Sequence, residues 1–118
     1  MPRNRNPQLI VIYWRDIPSQ VNGASGSEKH QVLLKPRFEK AIDRAAMTAG
    51  LTQASDYVNE WRRETQPAHG DIAAAAQALA AELEAAFPLT VLDEYVATGG
   101  FAPPTSHQPS SRSNGVQP

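Results

Sequence analysis

The chain has 118 residues, 11 Lys and Arg against 12 Asp and Glu, and no cysteine. That length supports one domain with a modest core. The missing thiols exclude disulfides, thiolate metal sites and a cysteine nucleophile. No run approaches the 18 apolar residues of a membrane span, and the apolar run Leu9–Trp14 is too short for a signal-peptide core, so cytoplasm is the expected location. The near-neutral charge is unevenly divided. Residues 1–66 hold 10 basic and 7 acidic side chains, a net of +3, and residues 67–118 hold 1 and 5, a net of −4. An excess of +3 argues against strong nucleic-acid binding, which needs a clear basic face. The two halves read as complementary parts of one fold.

Met1–Pro7 is charged and proline-bearing, a flexible N-terminus. Leu9-Ile10-Val11-Ile12-Tyr13-Trp14 is β-branched and aromatic, which predicts a strand. It is apolar at every position, so it is expected to be central or covered on both sides. Arg15-Asp16-Ile17-Pro18 is expected to break it, because proline cannot donate to a ladder. Asn22-Gly23-Ala24-Ser25-Gly26-Ser27 reads as a flexible loop. His30–Leu34 reads as a second strand, paired with the first across a long irregular connection.

Pro36 suits the first position of a helix. Phe38, Ile42, Ala45, Ala46 and Ala49 then share one helical face, and Gly50 is a natural stop. Thr52 can cap a second helix over Gln53–Glu64, with Tyr57 and Trp61 stacked one turn apart. Asp71 is the expected N-cap of a third helix from Ile72 to Phe87. That run is alanine-rich, a strong helix signal, and Ile72, Ala76, Leu79 and Leu83 form a stripe along it. Leu89–Val96 leans towards a short strand returning to the sheet. From residue 101 onward, proline and serine dominate and predict a disordered tail. The expected fold is therefore α+β. Residues 8–100 form one domain, a strand or hairpin packed on about three helices, followed by the 101–118 tail.

Strand ends are favoured places for sites. The first strand ends in Trp14, Arg15 and Asp16, with Gln20 close behind. Arg15 offers a planar fork for carboxylate or phosphate, and tryptophan favours interfaces. The bland alternative puts Trp14 in the core and pairs Arg15 and Asp16 internally. Arg37, Lys40 and Arg44 share a helix face that could hold an anion or an acidic partner, or could simply be solvated. Asp43 is spaced to pair with Lys40. Trp61 and Arg62 close the second helix. A Trp–Arg surface for bases is conceivable there, though cations at a helix C-terminus need no further reason than the dipole.

His30, His69 and His107 are not in metal-ligand spacing, and no glycine-rich nucleotide motif is present, so neither metal nor cofactor is expected. Asp16 and Asp43 could act as an acid–base pair, but no spacing rule supports it. A small enzyme is the least favoured class.

Three blocks carry a resemblance: Val11-Ile12-Tyr13-Trp14-Arg15-Asp16-Ile17-Pro18-Ser19-Gln20-Val21; Arg37-Phe38 through Ala41-Ile42-Asp43-Arg44-Ala45-Ala46-Met47 to Ala49-Gly50-Leu51; and Asp56-Tyr57 to Trp61-Arg62-Arg63. Together, over residues 8–64, they resemble the small bacterial family labelled "virulence factor" domain. The resemblance implies no enzymatic activity. It implies an accessory role beside another protein, a one-carbon enzyme of the methylenetetrahydrofolate reductase or corrinoid methyltransferase kind. The competing readings are a small-anion or nucleic-acid module using the same cations, and a secreted host-interaction factor.

Overall fold

The computed structural model describes residues 7–51 and 53–103. The elements are β1 (Gln8–Trp14), β2 (Ile17–Ser25), β3 (Glu28–Leu33), α1 (Pro36–Thr48), α2 (Ala54–Val58), β4 (Trp61–Pro67), α3 (Ile72–Ala86) and α4 (Leu89–Ala97). The fold is α+β, as the sequence predicts. Four antiparallel strands form one sheet in the order β3-β2-β1-β4.

β1 is central in that order, between β2 and β4; one of its faces is covered throughout, the other only at its Trp14 end, under Tyr57. Leu9 and Val11 are buried, whereas Ile10 and Ile12 are half-exposed. The same alternation runs through β2, where Val21 and Gly23 are buried and Gln20, Asn22 and Ala24 are not. Such a period of two marks a sheet with one face on the core and one facing out. α3 packs on β1, β2 and β3 from the inner side. Its Asp71 cap accepts a hydrogen bond from the Ala74 amide, as expected. Ala76 and Ala80 are its buried small residues, and they let the helix approach closely. At Gly23 a Cβ would sit 3.3 Å from the Ile72 carbonyl oxygen.

Three expectations are corrected by pairing. The chain break at Arg15–Pro18 shrinks to a two-residue turn, because Trp14 already pairs with Ile17. Pro18 is tolerated in β2 because the register slips beside it: Ile12 faces Gln20 and Tyr13 faces Pro18, so Ser19 is extra. This is a β-bulge, and the displaced Ser19 carbonyl accepts from the Leu34 amide at 3.2 Å. Asn22–Ser25, read as loop, belongs to β2, and the turn is only Gly26-Ser27, with Gly26 at φ +61. β3 therefore pairs with β2 and not with β1.

The second helix is also shorter than expected. It ends at Val58, and Trp61–Pro67 turns back as β4 along the whole length of β1. Leu89–Ala97 is a helix and not a strand. Leu92 and Val96, four apart, are buried, and α4 packs against α1. Among the described residues no single helix is long and apolar enough to cross a membrane.

Phe101–Pro103, assigned to the tail by sequence, still contact the domain, since the Ala102 amide donates to Asp16 at 2.8 Å. The remainder of the expected tail, 104–118, the N-terminal residues 1–6 and Thr52 lie outside the described residues.

After α4 the chain reverses through Gly99 (φ +72) and Gly100 (φ +101). A Cβ on Gly100 would lie 2.8 Å from the Trp14 ring. Gly100→Ala therefore combines a disfavoured backbone angle with a clash against a fully buried ring, and should cost about 2–4 kcal/mol. Urea unfolding checks this, with Gly50→Ala as comparison. Gly50 is also at positive φ but has open space around it, so only the backbone part, about 1–2 kcal/mol, should be lost there.

Candidate functional site

The motif at the end of β1 folds into a closed knot. Trp14 is completely buried. Its Nε1 donates to the Tyr57 carbonyl at 2.9 Å, and its ring stacks on Tyr57 with centroids 5.5 Å apart. It therefore cannot serve as an exposed docking aromatic. Arg15 begins the turn at φ +54, the one non-glycine residue with positive φ among those described. That is the sign expected at the first position of a II′ hairpin turn, where glycine is usual.

Several contacts hold arginine there. Its amide donates to Glu60 O (3.0 Å), its Nε pairs with the Glu60 carboxylate (3.2 Å), and its Nη1 donates to Gly99 O (2.9 Å). The guanidinium also lies between the Trp14 and Phe101 rings, 5.2 and 4.5 Å from their centroids.

Asp16 completes the knot. Its amide donates to Gly100 O (2.9 Å), and its carboxylate takes the Ala102 amide and Arg62 Nη2 (3.2 Å). Arg62, on β4, also donates from Nε to Arg15 O, pairs with Glu64 and covers the Tyr13 ring. Burial works against the Arg62 charge, but the hydrogen-bonded carboxylates of Glu64 and Asp16 outweigh it and hold its pKa above the ordinary value. Burial, followed by the nearby Glu64 charge, also raises the Tyr13 phenol.

The basic helix face is likewise taken up by packing. Arg37 donates to Glu84 O (2.8 Å) and Phe87 O (3.2 Å), the open carbonyls at the end of α3. α3 has no basic residue in its own last turn, so α1 supplies the cation that complements its dipole. In return the Glu84 carboxylate accepts the Lys35 amide at the start of α1. Arg44 pairs with Asp93 of α4 at 2.9 Å. Only Lys40 of the three stays outside such contacts, and it forms no ion pair with Asp43 among the described residues. The structure thus gathers Trp14, Arg15, Asp16 and Arg62 in one knot, places Arg37 and Arg44 in helix clamps, and leaves Lys40 and Asp43 apart.

Gln20 and Trp61 belong elsewhere, on the outer sheet face. The register lines up Ile12, Gln20 and Leu33 across it. Leu33 is 67% exposed. Beside it a hollow of about 340 Å³ is lined by Ser19, Gln20, Leu33, Ile42, Tyr57 and Trp61, among others. Tyr57 and Trp61 meet there edge to face at 6.0 Å. They do so because the chain reverses between them, and not through a shared helix face. Towards the other end of the sheet a second hollow of about 440 Å³ is lined by Ile10, Asn22, Lys29, His30, Gln31 and Arg63 with the adjoining backbone. Sequence reading missed Leu33, Tyr57, Lys29, Gln31 and Arg63 as site residues. The available signal was the period-two alternation of β1–β3, which puts Ile10, Ile12, Gln20, Asn22, Gln31 and Leu33 on one face. Among the described residues no group of three or more His, Cys, Asp or Glu is placed to hold a metal.

The family model described as "Virulence factor" matches residues 12–96. The chain belongs to the Virulence factor family. The match takes in Trp14, Arg15, Asp16 and Arg62 of the knot and the clamped helices α1 and α3, but not Gly99–Ala102, and so reaches past the blocks before residue 66 that first carried the likeness. No curated protein and no solved structure shows a significant match to the chain.

Burial separates the knot from the clamps. The Arg15 side chain is 13% exposed, whereas Arg44 and Asp93 are about half exposed. Arg15→Ala should lose about 2–3 kcal/mol, the scale of a charged hydrogen-bonding group removed from a largely desolvated site. Arg44→Ala should lose no more than about 1 kcal/mol. Urea midpoints at unchanged m-value measure both.

Proposed function

We propose that this chain is a non-catalytic accessory domain that docks another protein on the outer face of its sheet. The single observation that carries this reading is Leu33, a large apolar side chain left exposed in the row Ile12–Gln20–Leu33, beside the hollow lined by Tyr57 and Trp61. A centre poor in charge with charged residues at the edge is the usual anatomy of an interface. Here the charges at the edge are Glu39, Lys29 and Arg63. Aromatic side chains lining a pocket are typical anchors. The arginines of the sequence motif do not compete for this role, because Arg15 and Arg62 are bonded within the domain. The partner class proposed is the one the family likeness implies, a folate- or corrinoid-dependent methyl-transfer enzyme.

Photo-crosslinking in the native host tests the reading. A photoreactive residue at Ile12 or Leu33 should trap one protein, a methyl-transfer enzyme, and one at Gln77 on the exposed side of α3 should not. Leu33→Asp should reduce the Ile12 crosslink about tenfold while leaving the unfolding midpoint within ~0.5 kcal/mol of wild type. Equal trapping from Gln77 would contradict the docking surface. Trapping of a different enzyme class from Ile12 and Leu33 would contradict the one-carbon partner.

A further inference from the structure

The second hollow differs from the first in charge. Lys29 and Arg63 stand on opposite rims, on β3 and β4, with Gln31 on the same face as Lys29, whereas His30 alternates to the other face with Val32. Neither Lys29, His30 nor Arg63 has an ion pair or side-chain hydrogen bond among the described residues. This sets Arg63 apart from Arg15, Arg37, Arg44 and Arg62, each of which is bonded to a carboxylate or a carbonyl.

No carboxylate lines the hollow. Glu64, the neighbour of Arg63, falls on the opposite face of the sheet and is tied to Arg62. Lys and Arg offer only donors. Asn22 adds another, because its Oδ1 already accepts from Gln20 Nε2 at 3.0 Å and its amide nitrogen is left to donate. The floor between the rims is Ile10, Gly23 and Ala24, low and partly apolar. The volume, about 440 Å³, falls within the usual size of a small-molecule site.

We infer that this hollow binds a phosphate-bearing small molecule, its phosphate oxygens held by Arg63, Lys29 and the Asn22 amide. A group of acceptors only, carrying more than one negative charge, matches a hollow whose charged side chains are both cations. The inference differs from the docking proposal in its ligand and can be tested on the purified chain alone; the two surfaces adjoin at Arg63, which lies across from Ile12 in the Ile12–Gln20–Leu33 row.

The test is an amide-resolved NMR titration of the full chain with inorganic pyrophosphate at low salt. Saturable shifts are expected at Asn22, Gly23, Lys29, His30, Gln31 and Arg63, weakening as salt rises. Lys29→Ala and Arg63→Ala should each weaken binding about tenfold without altering the rest of the spectrum, and Arg44→Ala should leave it unchanged. Succinate, with two carboxylates, should bind more weakly than pyrophosphate. Shifts that do not saturate, that centre on Lys35 and Lys40, or that survive both substitutions would overturn the site. Equal binding of succinate would overturn its phosphate preference. A single-stranded oligonucleotide that binds more tightly and extends the shifts to Trp61 would overturn the small-molecule ligand in favour of nucleic acid.

Discussion

Arg15 is held at φ +54 in a turn whose first position ordinarily calls for glycine. A side chain in that region costs about 1–2 kcal/mol, and the surrounding structure must offset it. It does so by making the turn the meeting point of two distant segments. The Arg15 amide and guanidinium bind Glu60 ahead of β4, the guanidinium and the Asp16 amide bind Gly99 and Gly100 after α4, and Arg62 reaches back from β4 to Arg15 O and Asp16. β4 thereby gains an anchor at its start, and the end of α4 is drawn onto the Trp14 ring. Substituting glycine would relieve the backbone and remove the cation that makes these links.

This arrangement explains why the most conspicuous motif is not an open binding surface. Arg15, Asp16 and Arg62 satisfy one another and the backbone around them, and buried or half-buried charges need that satisfaction. Arg37 and Arg44 are used in the same way between helices, with Arg37 and Glu84 matching opposite helix ends. What the domain leaves unsatisfied lies on the outer sheet face: apolar side chains at Leu33 and Trp61, and the cations Arg63, in the row of Leu33, and Lys29, further along β3. A rigid sheet positions both sets of side chains, and no helix needs to move to expose them.

The parts of the fold legible from sequence are those whose signal is local. β1 is written in its β-branched run, α1 in Pro36 and the Phe38/Ile42/Ala45 stripe, and α3 in the Asp71 cap and its alanines. β4 was not legible, because Trp61–Pro67 holds a single large apolar residue and becomes a strand by pairing with β1, some fifty residues earlier. β2 was hidden by Pro18 and Gly23, two residues that usually end strands. Here the bulge at Ser19 accommodates the proline, and the close approach of Ile72 favours the glycine. α4 reads locally as a strand through Thr90-Val91-Leu92, although Leu92 and Val96 carry the helical spacing. The outer-face site was illegible for a similar reason: its members come from four strands, and each is unremarkable alone.

If the Arg15–Asp16 turn fastens the fold, its two amides should not behave like those of a surface turn. Native-state hydrogen exchange measures this directly. The Arg15 and Asp16 amides should exchange only through global unfolding, with the same free energy and denaturant dependence as the Val11 amide in the centre of β1. Exchange as fast as that of Ser27, in the unanchored Gly26-Ser27 turn, would contradict the central role given to the knot.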